Sequence, residues 1–166
     1  MESYTIGEVF GAMNNNGDNF LHDICYHGCV SLLLRVGWWL DHKNNSLLHH
    51  YNYEGYQCVH IVARRHRGQE AVKLMKVLMD FGADLNAPDK TSGSTALHFA
   101  VINQDCELVT WMCQQTSVNL EACDYSGLTA YQVAWKRTDF KIMDIFLKFD
   151  ADSDQPYSSE SESEPS

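Results

Sequence analysis

No apolar run in the 166-residue sequence approaches the roughly 18 residues that a bilayer-spanning helix requires. Its opening, Met1-Glu2-Ser3-Tyr4-Thr5, shows no basic region followed by an apolar segment, so no secretory signal and no membrane association are expected. Basic residues are scarce, with 12 Lys and Arg against 22 Asp and Glu and a formal net charge of −10. That deficit argues against direct nucleic-acid binding, which needs a basic surface to displace counterions. The sequence also has no glycine-rich phosphate loop and no His-Glu-x-x-His, the motifs that carry nucleotide and zinc chemistry. No spacing singles out a thiol or hydroxyl beside a base held by a third group. No enzyme activity, cofactor, metal or small-molecule substrate is therefore expected.

What is present suits one domain. Hydrophobic residues make up 45% of the chain, ample for a core. The negative charge is uneven. Residues 150–166 hold six acids and no Lys or Arg, which leaves 16 acids against 12 bases before them. Such a balance suits a basic partner, although solubility alone would also account for it.

One stretch organises the rest: Gly93-Ser94-Thr95-Ala96-Leu97-His98-Phe99-Ala100. It resembles the Gly-x-Thr-Pro-Leu-His-x-Ala signature that opens an ankyrin repeat. Gly relieves the turn, Thr caps a helix, Leu and Ala face the stack, and His ties neighbouring turns together. Ala96 stands where proline is usual. Gly and His recur 38 residues upstream in Gly55-Tyr56-Gln57-Cys58-Val59-His60 and 38 further back in Gly17-Asp18-Asn19-Phe20-Leu21-His22. The fourth copy, 34 residues downstream, is Gly127-Leu128-Thr129-Ala130-Tyr131-Gln132, with Gln132 in the His place. These spacings bracket the ankyrin period of about 33 residues. The implied fold is an all-α ankyrin-repeat solenoid of four helix pairs joined by β-hairpin loops.

The expected organisation is a lead-in over 1–13, repeats at about 14–51, 52–89, 90–124 and 125–152, and a disordered Ser/Glu tail over 153–166. Ile6, Val9, Phe10 and Met13 have the spacing of a helical cap. The second helix of repeat one is read as carrying Val30, Leu33, Leu34 and Gly37-Trp38-Trp39-Leu40. Apolar stripes are read at Ala71, Leu74, Met75, Leu78 and Met79 and at Leu108, Val109, Met112 and Cys113, and Ile142, Ile145, Phe146 and Leu147 are read as forming the last helix. Trp38 and Trp39 are adjacent, so one packs inward and the other is partly exposed. Most of the six cysteines fall in helical positions, which favours core thiols over disulfides and a reducing compartment.

His22, Cys25, His27 and Cys29 could be read as zinc ligands. Their face belongs to the core, however, and structural zinc sites draw pairs from two segments. His60 and His98 read as structural for the same reason. The site implied by the ankyrin resemblance is instead the concave strip of hairpin tips and first-helix faces. By register this strip includes Tyr53, Glu54, Tyr56, Arg64, Arg65, Ser92, Ser94, Ile102, Asn103, Tyr125, Leu128, Lys136 and Arg137. Tyr and Arg dominate it, as they do at interface anchors.

Four repeats with two stretched units, Trp38-Trp39 and Gly82-Ala83-Asp84-Leu85-Asn86-Ala87 together resemble the viral ankyrins of polydnaviruses, the I-kappa-B-like proteins of bracoviruses. The resemblance implies binding to a host Rel/NF-kappa-B transcription factor and suppression of the host insect immune response. It places the protein in the host cell cytoplasm, with the nucleus as a second site. Cellular inhibitors carry an Asp-Ser-Gly-x-x-Ser degradation switch ahead of their repeats, and no such motif precedes Gly17. The expected inhibitor therefore escapes that removal. Ser159 and Ser161 each have Glu three residues on, a pattern acidophilic kinases accept, making them candidate phosphorylation sites. The alternatives are an ankyrin adaptor or a nuclear co-regulator binding another host protein.

Overall fold

In the computed structural model the described residues are 11–43 and 45–149, without the side chains at 39 and 41–45. The helical cap read at Ile6, Val9 and Phe10, the inward-or-outward choice for Trp39, the disordered tail, and Ser159 and Ser161 lie outside the described residues.

Eight helices form four pairs among the described residues. They are α1 Phe20–His27 with α2 Val30–Lys43, α3 Cys58–Arg65 with α4 Gly68–Asp80, α5 Ala96–Ile102 with α6 Cys106–Cys113, and α7 Ala130–Lys136 with α8 Phe140–Lys148. A short 3-10 turn, Asn45–Leu47, follows α2. First helices pack in the order α1, α3, α5, α7, and second helices in the order α2, α4, α6, α8. The chain is an all-α solenoid. Its connecting loops are tight reversals closed by a few backbone bonds each, such as Asn52 N to Tyr56 O and Gly55 N to Asn52 O, both at 3.0 Å. Among the described residues these reversals make only one isolated β-bridge, Cys123 with Thr129, and no strand.

The recurring motif explains where the first helices begin. Asn19, Gln57, Thr95 and Thr129 stand at the N-caps with extended backbone. Three residues on, His22, His60 and His98 each accept the cap's backbone N–H on Nδ1, at 3.0, 2.9 and 3.2 Å. Gln132 does the same through Oε1 at 3.0 Å. These reciprocal capping boxes satisfy donors that a helix start would otherwise leave unpaired. Accepting on Nδ1 leaves the proton on Nε2, which donates to the next unit: to Tyr56 O at 3.1 Å, Ala87 O at 2.7 Å and Leu128 O at 2.9 Å. The three histidines therefore recur layer by layer, each joining its own repeat to the following turn.

The core runs continuously through the stack. Along α2 the buried positions are Leu33, Val36 and Leu40, while Leu34 points outward and Trp38 is 78% exposed. Leu34 turns away because the 3.6-residue period that buries Leu33 rotates its neighbour by about 100°. The same rotation sorts the last helix, which contains Ile142, Ile145, Phe146 and Leu147 as expected. Ile142, Met143 and Phe146 are buried there, Ile145 is half-buried and Leu147 is exposed. Met79 and Cys113 likewise sit at the edges of their stripes, half-buried. All six cysteines are free thiols. Cys25 and Cys58 are fully buried, and a side-chain hydrogen bond with Cys58, reinforced by burial, raises the Cys25 thiol well above its usual range. Burial pushes Cys113 up to about 11.

Candidate functional site

Backbone bonds between successive hairpin tips space the concave face. Tyr53 N donates to Asn16 O at 2.9 Å, Lys90 N to Gly55 O at 3.0 Å, and Tyr125 N to Ser92 O at 2.9 Å. Side chains reinforce this ladder, with Asn52 Nδ2 donating to Asp18 Oδ1 at 2.8 Å. At the third tip the Asp89 carboxylate accepts from the backbone of Thr91, Ser92 and Ser94 and from the Ser92 hydroxyl. Burial opposes ionisation of Asp89, but these bonds outweigh it and hold the carboxyl below its usual range.

Two tip tyrosines rest on the glycine of the preceding tip. A Cβ added to Gly17 would run into the Tyr53 ring, and one added to Gly93 into the Tyr125 ring. Both glycines have positive φ, so the position that makes the turn also leaves room for the ring. The outer faces of the rings remain open, with Tyr53 78% and Tyr125 68% exposed.

Arginines stack behind the tips. The Arg64 guanidinium lies 4.3 Å from the Tyr56 ring centroid and 5.4 Å from that of Phe99, and it donates to the Tyr56 hydroxyl. Tyr56 and Phe99 meet edge to face at 5.9 Å. Arg65 lies over Tyr26 at 5.2 Å. Stacking fixes each guanidinium plane while leaving donors free for a ligand. A groove of about 540 Å³ opens across the first two repeats, lined by Tyr26, Tyr56, Arg64 and Arg65 with Asp23 and Glu54 among its acids. Burial, reinforced by the charges of Glu54 and Asp18, raises the Tyr26 phenol, so it stays a neutral donor. Aromatic faces, oriented cations and carboxylates on one surface suit an extended, mixed-charge protein partner.

Comparison with known proteins agrees with this geometry. Residues 59–156 match the family of ankyrin repeats in three copies. I-Kappa-B like protein C2 of Microplitis demolitor bracovirus (isolate Webb) is 37% identical over 143 residues, spanning 86% of this chain and 78% of that protein. I-Kappa-B like protein I1 of the same virus is 37% identical over 140 residues, covering 83% of each chain. This chain belongs to the I-kappa-B-like ankyrin-repeat proteins of bracoviruses. Among solved structures, the ankyrin repeat domain of Bcl-3, a member of the IkappaB protein family, superposes with a TM-score of 0.77 at 27% identity. That match covers 89% of this chain and 62% of the Bcl-3 chain.

Within this I-kappa-B-like stack, the residues picked out by register do not all reach the surface. Tyr53, Glu54, Arg64, Arg65, Ser92, Ile102, Tyr125, Lys136 and Arg137 are exposed, and Tyr56 is half-buried beneath Arg64. Ser94 is corrected to an interior position. It is 4% exposed, and its hydroxyl lies 2.9 Å from that of Ser92, to which it can donate while Ser92 donates to Asp89. Asn103 is half-buried, and its amide is committed to Ala63 O at 2.8 Å. Leu128 is half-buried and contributes its carbonyl to His98. The structure adds Phe99, which shares the Arg64 cation between repeats two and three. Its signal in the sequence is only that it fills the variable place of Leu-His-x-Ala. Asp23 holds the same register position two repeats earlier and is exposed, whereas Phe99 is half-buried.

No group of three or more His, Cys, Asp or Glu is placed to hold a metal ion among the described residues. His22 has both ring nitrogens engaged by backbone groups. No helix among the described residues is long and apolar enough to cross a membrane.

Proposed function

We propose that this I-kappa-B-like protein binds a host Rel/NF-kappa-B transcription factor through its concave face and thereby suppresses the host insect immune response. The reading places it in the host cell cytoplasm, with the nucleus as a second site. The observation that carries it is the groove across the first two repeats where Tyr26, Tyr56, Arg64 and Arg65 meet, with Tyr53 and Tyr125 exposed at their hairpin tips. Exposed aromatics and stacked arginines are the residue types that supply most binding energy at protein interfaces. The names of the bracovirus relatives and the likeness to the Bcl-3 ankyrin domain support the choice of partner. Sequestration by a protein surface requires no reaction and no cofactor.

A second reading of the same surface is a co-regulator that binds Rel dimers already on DNA. A gel-shift competition between host Rel dimers, their DNA site and the purified protein separates the two. Loss of the protein–DNA complex is the expected result for an inhibitor. A supershifted complex identifies the co-regulator, and an unchanged complex overturns Rel binding in favour of an adaptor for another host protein.

A further inference from the structure

Four residues on from the motif His or Gln, the first helices α3, α5 and α7 carry Arg64, Ile102 and Lys136. One residue further come Arg65, Asn103 and Arg137. These helices pack side by side, so the two sets of positions form a row across successive repeats. Contacts between repeats fix the row. Asn103 Nδ2 donates to Ala63 O at 2.8 Å, and Arg137 Nη2 donates to Ile102 O at 3.3 Å. Arg67, just beyond α3, donates to Asn103 O. Arg64, Arg65, Arg67, Lys136 and Arg137 are all exposed. They are five of the 12 Lys and Arg in a chain of net charge −10. None of them pairs with an acid among the described residues, where the ion pairs are His66 with Glu70 and Lys148 with Asp144. The carboxylates that follow α5 and α7, Asp105 and Asp139, are turned to backbone N–H groups at the starts of α4, α6 and α8. Like charges gathered in this way repel one another until a ligand of opposite sign covers them. Ile102, 39% exposed, is the apolar residue in the middle of the row.

We propose that this row receives a short acidic segment of the partner protein. Its carboxylates lie over Arg64 and Arg67 at one end and over Lys136 and Arg137 at the other, with an aliphatic side chain between them on Ile102. The inference rests on the concave face being the binding surface, and it adds the chemistry of what lies there. Helices packed in contact stand about 8–10 Å apart, so the two intervals from α3 to α7 come to about 16–20 Å. An extended segment rises about 3.3 Å per residue, and about six residues cover the row. A guanidinium carries five N–H donors. Arg64, Arg67 and Arg137 each commit one to the Tyr56 hydroxyl, Asn103 O and Ile102 O respectively, and the rest of each fork suits a carboxylate held by two parallel bonds. A nucleic acid fits the row less well. Asp23 and Glu54 share the groove with Arg64 and Arg65 and repel a continuous phosphate backbone, whereas a peptide places acids only where cations stand.

The test is fluorescence anisotropy with the full chain at low ionic strength, where exposed charges are least screened. The probes are the fluorescein-labelled peptide Glu-Glu-Ser-Leu-Ser-Glu-Glu, the same peptide with Lys for every Glu, and a labelled single-stranded oligonucleotide. The parent chain is expected to hold the Glu peptide at least about ten-fold more tightly than the Lys peptide. Lys136→Glu combined with Arg137→Glu is expected to abolish that preference, while Lys136→Arg combined with Arg137→Lys keeps it. Melting temperatures of both variants establish that the stack is folded. The proposal is overturned if the parent shows no preference for the Glu peptide or holds the oligonucleotide more tightly. It is equally overturned if the preference persists unchanged in the folded Glu variant. Because the probes contain no Rel sequence, failure here leaves Rel binding standing, and a failure to bind Rel leaves this result standing.

Discussion

At the scale of single residues the most consequential groups are His22, His60 and His98. Burial lowers the pKa of each below the ordinary value of 6.5, against opposing contributions from the backbone bonds they make. Between the depressed folded value and 6.5, the unfolded chain binds more protons than the folded one, so stability rises with pH through that window. This contribution is complete above about 6.5 and is lost as pH falls below it. Urea unfolding at pH 7.5 and pH 5.5 is expected to show lower stability at the acidic pH, with part of the loss removed in His98→Gln. Gln132 already fills the same capping place without titrating. This role was legible from sequence, because a His at fixed distance from Gly in successive units has the same job in each. The partnership of Arg64 with Phe99 was not legible, because Phe99 comes from the repeat after the one that holds Arg64 and Tyr56 and no local pattern records that approach. The interior place of Ser94 was hidden for a related reason. Its burial depends on Asp89 five residues earlier collecting the whole turn.

At the scale of elements, caps do more than start helices. Asp105 caps α6 by accepting Leu108 N at 3.1 Å, and its other oxygen accepts Gly68 N at the start of α4, at 2.8 Å. Asp139 caps α8 by accepting Ile142 N at 3.2 Å, and its other oxygen meets only an exposed side-chain amide, Gln104 Nε2 at 3.4 Å. A lost N-cap costs about 1 kcal/mol, and losing the bond to the half-buried Gly68 N–H adds about 1 kcal/mol. Asp105→Ala is therefore expected to destabilise by clearly more than Asp139→Ala in chemical denaturation, and equal losses would show that the bond to Gly68 contributes nothing. Helix existence and order could be read from the repeat, since apolar stripes and caps coincide there. The rotation of α2 and α8 could not. Both carry consecutive apolar residues, Leu32-Leu33-Leu34 and Ile145-Phe146-Leu147, and only the neighbouring helix decides which of them faces inward.

At the scale of the whole molecule, the solenoid separates its tasks. Second helices and motif histidines hold the repeats together, while hairpin tips and the outer parts of the first helices remain available. This division is what makes the concave face a plausible place to lose binding without losing the fold. Arg64 and Arg65 are both exposed, and their aromatic contacts are of the kind worth about 0.5–1 kcal/mol at exposed sites, small beside the total stability of a domain. Interface arginines, by comparison, can each cost 2 kcal/mol or more on truncation, roughly 30-fold or greater in affinity. The most direct measurement is therefore a binding isotherm for a host Rel dimer with the parent chain and with Arg64→Ala combined with Arg65→Ala, alongside their melting temperatures. The account predicts affinity weakened by at least about 30-fold with the melting temperature lowered by no more than a few degrees. Unchanged affinity in a folded double variant would contradict it.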